Sequence, residues 1–200
     1  MKKPSLTKLF LLSLVLVVLS AGSASAAKNT FGVAWNVSLP IGDASDHTSG
    51  LQFRGATLEW RNFYTRDMAY GINASWDVFT ESFEGTFEGD NFALTGKSWR
   101  YLNAVPIYAS WHKYSGGDKR SKRPFFGINA GTAYIHRRTE VGVWQQNQEN
   151  WHLAIAPELG MRMPWDSFVG WASLRYNYAF SAGDVDAQQW LEFRLGFGMD

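Results

Sequence analysis

The chain has 200 residues, no cysteine, ten tryptophans and a formal net charge of +1. Charged residues make up 18% and aromatic residues 16% of it, against roughly 25% charged in ordinary soluble domains. This excludes a disulfide-stapled or thiolate-metal domain, a helical membrane protein of several spans, because only one long apolar run exists, and a disordered chain, because 46% of the residues are hydrophobic.

The chain opens on a basic start, Lys2, Lys3 and Lys8, followed by an apolar run from Leu9 to Leu19 and then Ala24-Ser25-Ala26. That order describes a secretory signal peptide cleaved after Ala26. The run is too short for a membrane helix of about 20 residues. Two domains follow: a signal peptide over 1–26 and one β-barrel domain over 27–200. Without residues 1–26, 19 basic against 18 acidic residues become 16 against 18. The apparent basicity belongs to the export segment, and nothing points to a nucleic-acid partner.

From Phe31 onward the pattern has period two, as in strands whose side chains alternate between faces. Phe31, Val33, Trp35, Val37, Leu39 and Ile41 are bulky; Gly32, Ala34, Asn36, Ser38 and Pro40 between them are small or polar. Eight strands are predicted, at 30–41, 50–63, 68–80, 98–113, 123–138, 150–163, 167–180 and 188–198. No segment after residue 26 carries a convincing helical stripe. In the second strand Leu51 and Phe53 change phase before Leu58 and Trp60, which predicts a bulge near Gly55. In the fourth, both faces are partly apolar. Thr139–Glu149 reads as a loop. Thr80–Ser98, where Phe79, Phe83, Phe87 and Phe92 interleave with Glu81, Glu84, Glu88 and Asp90, reads as an extension of its hairpin beyond the membrane.

Eight such strands fit a soluble sandwich or lipocalin-like barrel with the bulky face inside, or a membrane barrel with that face outside. A small barrel interior lacks the volume for so many aromatic rings, whereas a lipid-facing belt has no such limit. Trp35, Tyr64, Trp76, Trp99, Trp111, Tyr134, Trp151, Trp165 and Tyr178 also suit the two membrane interfaces. With the bulky faces outward, the interior receives Glu59, Arg61, Asp77, Arg100, Glu158, Arg162, Arg175, Glu192 and Arg194. The short second-to-third and sixth-to-seventh links alternate with longer ones, as in membrane barrels with short periplasmic turns. One link departs from this: Tyr114–Lys122 is long and basic, and its Lys119–Arg123 stretch is a candidate contact for an acidic periplasmic partner or phospholipid headgroups.

Three local marks are Val105-Pro106-Ile107, Arg123-Pro124-Phe125-Phe126-Gly127-Ile128-Asn129-Ala130-Gly131 and Ala156-Pro157-Glu158-Leu159-Gly160. With the strand pattern over 30–200, the chain resembles the small eight-stranded outer-membrane barrels of diderm bacteria, the OmpA/OmpX/OmpW-like group. The last strand keeps the alternation Phe193, Leu195, Phe197 but trails Gly198-Met199-Asp200, where that group ends on an aromatic. The resemblance implies an all-β, antiparallel up-and-down transmembrane barrel in the outer membrane. It also implies outer-membrane lipid, lipopolysaccharide and the barrel-assembly machinery as partners.

The interior charges must pair, because an isolated buried charge is very costly. They read as a structural network that plugs the lumen; a narrow conduit for small or apolar solutes, with pairs that switch partners, is the alternative. A third reading is a lipid A-modifying hydrolase. Ser110 and His112 share a strand face, as a nucleophile and base must, but no acid is assignable to orient the His. The order is also reversed relative to the His-x-Ser of outer-membrane deacylases. His47, His136 and His152 show no paired metal spacing. No metal or cofactor is expected, and the leading reading is a non-enzymatic envelope barrel.

Overall fold

The computed structural model of the protein describes residues 28–89, 92–116, 122–141, 144–165 and 168–199. The expected export segment, Asp90, Lys119 and Arg120 lie outside them. Eight antiparallel strands run β1 (Lys28–Ile41), β2 (Gln52–Phe63), β3 (Met68–Gly89), β4 (Phe92–Tyr114), β5 (Arg123–Val141), β6 (Trp144–Trp165), β7 (Phe168–Ala179) and β8 (Gln188–Met199). Each pairs with its chain neighbour, and β1 pairs with β8, so the sheet closes into a barrel with no free edge along its closed part.

The bulky face points outward, as the charge argument requires. Phe31, Val33, Trp35, Ile72, Trp76, Leu153, Leu159, Leu174, Leu195 and Phe197 are all exposed on the barrel wall. Their in-between partners on β1 and β3, such as Asn36, Ser38, Asn73, Ser75 and Asp77, are buried. Aromatic N–H groups on this face find partners near the strand ends: Trp111 donates to the Tyr64 hydroxyl at 3.1 Å, and Trp35 to the Phe53 carbonyl at 2.8 Å. The phase change in β2 is a register shift. Asn36 faces Gly55 while Ser38 faces Gln52, so Phe53 and Arg54 together oppose the single Val37, and both are exposed. The bulge adjoins Gly55, as expected.

Four strands are long. β3, β4 and β6 have 22, 23 and 22 residues and β5 has 19, whereas β2, β7 and β8 have 12 each. The surplus lies at the loop end, opposite the short turns and the ends of β1 and β8. There β3–β6 rise as a one-sided wall. The extended β3–β4 hairpin was expected. The β5–β6 link was not: within the predicted loop 139–149, residues 139–141 and 144–149 are strand, with Glu140 opposite Gln145 and Val141 opposite Trp144. A five-residue helix, α1 (Asp43–His47), stands between β1 and β2; it is too short to show a stripe.

The interior is layered. Toward the loop end Phe79, Leu102, Tyr108, Ile135 and Trp190 form an apolar layer, with Ala44 of α1 and Val185 of the β7–β8 link packed over it. Phe79 and Trp190 meet edge to face at 6.3 Å. Toward the turn end Tyr114, Phe125 and Trp171 form a second layer. Charged groups lie between the two. Small residues make room for these rings. The Trp171 indole lies across Gly32 and Gly196 on β1 and β8; a Cβ at Gly196 would sit 2.0 Å from its ring. Because the neighbouring wall cannot give way, Gly196→Ala is expected to destabilise the barrel by about 1–3 kcal/mol, the range for overpacked cores. Urea titration in lipid vesicles, followed by gel mobility of the folded form, measures it.

Candidate functional site

Parity along the strands sends carboxylates and guanidiniums inward from several strands. Glu59 and Arg61 come from β2, Glu158 from β6, Arg175 from β7, and Glu192 and Arg194 from β8; all six are buried. Glu158 is the hub. It accepts hydrogen bonds from Arg175 Nη2 at 2.9 Å and Arg194 Nη1 at 3.0 Å, with Arg61 Nη2 at 3.7 Å and His112 Nε2 at 3.6 Å. Glu59 accepts from Arg194 Nη2 at 2.7 Å and pairs with Arg61. Glu192 lies 3.3 Å from Arg194 Nε and accepts from Asn177 at 2.9 Å. Three acids thus alternate with three arginines in a neutral cluster, the condition under which buried ions are tolerated.

Amides extend the cluster. Arg175 Nη1 donates to Asn73 at 3.1 Å, Asn73 donates to Asn129 at 3.1 Å, and Asn129 donates to Glu158 at 3.2 Å. Arg61 also donates to the Tyr114 hydroxyl at 2.7 Å. The connecting amides were not singled out from the sequence, and His112, singled out there as a partner of Ser110, stands instead beside Glu158. They have the same inward parity as the charged residues, and that signal would have found them.

The remaining predicted members sit elsewhere. Asp77 is buried but held by neutral donors, Asn36 Nδ2 and Ser38 Oγ, both at 3.1 Å from Oδ1. Arg162 is buried toward the turn end, its guanidinium 5.2 Å from the Phe63 ring centre. Arg100 does not join the lumen network. It lies at the loop end, donates to the Asp46 carbonyl at 3.0 Å and covers the Phe83 ring at 4.5 Å. Parity gave its face correctly, but its height puts it above the apolar layer, where it secures α1.

Ser110 and His112 both point into the barrel rather than toward lipid, 5% and 0% exposed. No hydrogen bond joins them: Ser110 Oγ and both His112 ring nitrogens lack a hydrogen-bond partner. The His112 ring packs edge-on against Phe125 at 5.4 Å. In the basic turn, Arg123 is also committed internally. It is buried and donates to Asp67 Oδ1 at 2.5 Å and to the Arg66 carbonyl at 2.8 Å, so it is not a free cation for a partner. Lys122 is exposed.

At the loop end α1 is fastened to the wall. His47 Nε2 lies 3.1 Å from the Tyr101 carbonyl, and Ser49 donates from its N–H and Oγ to Glu81 at 2.7 and 2.6 Å. Burial, and then the nearby Arg137, lower the His47 pKa to about 4. A ring with pKa ~6.5 when free therefore docks neutral. Docking is at full strength above about pH 6.5 and weakens as pH falls toward 4, because only the undocked ring takes up the proton. A histidine NMR titration is expected to place the His47 midpoint near 4. His47→Gln is expected to remove the acid-dependent loosening of residues 43–48, read by hydrogen exchange.

No protein-family profile and no curated protein matches the chain. Among solved structures, Neisserial surface protein A aligns with a TM-score of 0.60 at 11% identity, over 88% of this chain and 99% of that one. Ail of Yersinia pestis aligns with a TM-score of 0.49 at 17% identity, over 86% and 96%. The N-terminal barrel domain of Pseudomonas aeruginosa OprF gives 0.46 at 12%, over 86% and 99%. At such identities the likeness is one of fold. The closed eight-stranded topology, with its apolar belt outward, is the fold that Neisserial surface protein A also has.

Proposed function

We propose that the chain is exported, cleaved after Ala26 and inserted into the outer membrane of a diderm bacterium as a non-enzymatic envelope barrel. Its interior is a structural plug, and its working surface is the loop-end wall of β3–β6. The observation that carries this reading is the stack of side chains filling the barrel: Phe79, Tyr108 and Trp190, then the Arg–Glu cluster, then Tyr114, Phe125 and Trp171. An eight-stranded barrel is only just wide enough for its own side chains. A solute path would require both aromatic layers and the ion pairs to open together.

Planar-bilayer recording with the purified protein tests this. The expected result is no steady conductance. Regular current steps that disappear in Arg194→Gln would instead make the barrel a conduit. For the hydrolase reading, lipid A mass spectra of cells making the wild type and Ser110→Ala are expected to be identical.

A further inference from the structure

We propose that the open edge of β6 at the loop end is a docking site for a basic, extended polypeptide segment, which adds to the wall as a further strand. This rests on the reading of the wall as the working surface and gives that surface a partner. β6 pairs with β5 from Trp144 to Arg162, but with β7 only from Ala154 onward. Beyond Ala154 the Phe180 N–H donates to the Leu153 carbonyl at 2.9 Å. Leu153 thus turns its backbone groups toward the β7 side. The alternation of an antiparallel strand turns those of Gln145, Asn147, Glu149 and Trp151 the same way. Among the described residues, no backbone group meets the N–H and C=O of these four.

The wall has two such edges, and one of them is guarded. Along the β3 edge, which β2 leaves at Asp77, the Gln52 amide donates to the Thr80 carbonyl at 3.2 Å. Ser49 holds the Glu81 carboxylate through its N–H and Oγ, and the Phe53–Arg54 bulge interrupts the neighbouring strand. Covering groups, bulges and charges are the means by which sheets keep further strands off an exposed edge. On β6, residues 145–151 hold no lysine or proline, carry Glu149 as their one charge and keep an unbroken register with β5. This edge also stands clear of the bilayer. Tyr134 and Trp151 pack together at 5.4 Å where the apolar belt ends. Glu149 to Gln145 lie two to six residues farther out. At ~3.3 Å per residue and a strand tilt of about 40°, that is roughly 5–15 Å above the girdle.

The surroundings set the composition of the partner. Glu149 stands on the outer face of the edge, where it accepts from the Tyr134 hydroxyl. On the inner side the β7–β8 link lies against Gln148, whose amide donates to the Asp184 carbonyl at 3.4 Å, and the link presents Asp184 and Asp186 exposed. Both faces of an incoming strand therefore meet carboxylates, which favours lysine or arginine on it and disfavours aspartate or glutamate. Gln145, Gln146 and Asn147 offer amides to polar side chains at its other positions. A second copy of this chain fits badly by the same rule. Its β6 edge brings the same acids, and its β3 edge brings Glu81 and Glu84.

The test uses the full chain refolded into phosphatidylcholine nanodiscs, with circular dichroism and gel heat-shift to establish insertion. The probe is a seven-residue peptide alternating lysine with threonine, beside a glutamate-for-lysine version and a fully N-methylated version. Fluorescence anisotropy reads binding, and hydrogen exchange reads protection of the amides of residues 145, 147 and 149. The expected result is that the lysine peptide binds and protects those three amides, while the other two peptides bind about tenfold more weakly or not at all. Asn147→Pro removes an edge-facing N–H that the β5 ladder does not use, so it should leave the heat-shift unchanged and weaken the lysine peptide about tenfold. Glu149→Lys should narrow the preference for lysine over glutamate. Equal binding of the glutamate peptide overturns the basic partner. Undiminished binding of the N-methylated peptide, or of the lysine peptide to Asn147→Pro, overturns strand addition. Protection of the three amides without peptide, rising with the number of copies per disc, makes the occupant a second copy and overturns the assignment. Failure of the wild type to enter the discs overturns the membrane reading and this inference together; insertion without protection by the lysine peptide overturns the inference alone.

Discussion

Glu158→Gln is expected to lower barrel stability by about 3–5 kcal/mol, the cost of breaking a buried ion pair from one side. The carboxylate accepts from Arg175 and Arg194 and stands beside Arg61. An amide keeps the shape but loses the charge, and it turns an NH₂ toward guanidiniums that have only donors to offer. Two carboxylates, Glu59 and Glu192, then face three arginines. The measurement is the urea midpoint of the vesicle-inserted protein by tryptophan fluorescence, with Glu84→Gln as comparison. Glu84 is exposed on the loop-end hairpin, so its replacement should stay within about 0.5 kcal/mol of wild type. Equal effects of the two variants would mean that the interior cluster contributes nothing to the fold. The double replacement Glu158→Leu with Arg175→Met should recover much of the loss, because removing both partners leaves no lone buried charge.

Leu159→Arg tests orientation directly. Leu159 is 62% exposed and sits between Phe126 and Leu174 on the outer face, one residue from Glu158 at mid-height. On a water-soluble protein, arginine at so open a position changes stability by no more than about 0.5 kcal/mol. On a barrel in hydrocarbon it costs about 2–4 kcal/mol near the midplane. Refolding into vesicles at graded urea, with Trp165→Arg near the interface as a milder control, separates the two. A near-zero effect of Leu159→Arg would place the apolar face in water and remove the basis of the membrane reading.

The sequence made the barrel legible wherever one face met hydrocarbon and the other met the lumen, because that contrast writes period two into the residues. Phe31–Ile41 and Trp151–Met161 are read correctly for that reason. Where both faces meet water the contrast vanishes. Gln145-Gln146-Asn147-Gln148-Glu149 is strand, held by its pairing with β5, yet it reads as loop. The interior was only partly legible. Alternation gives the face of Arg100 but not its height, so a residue securing α1 was grouped with the lumen charges. The apolar layers inside the barrel were announced by Leu102, Ala104, Pro106 and Tyr108 on the second face of β4. That signal was read as poor alternation rather than as core.

The ion pair between Arg194 and Glu59 joins the last strand to the second across 135 positions of chain. The β1–β2 hairpin carries Glu59 with Arg61 in balance, but the β7–β8 hairpin does not balance its own charges. A β7–β8 hairpin entering the bilayer alone would carry Arg175 and Arg194 against one acid, at roughly 2.5–3.5 kcal/mol for each bare charge. Piecemeal threading is therefore penalised twice over, once by unpaired backbone and once by unpaired charge. The last strand reaches charge balance only where Arg194 meets Glu59 of β2 and Glu158 of β6, which couples closing the barrel to burying its charges.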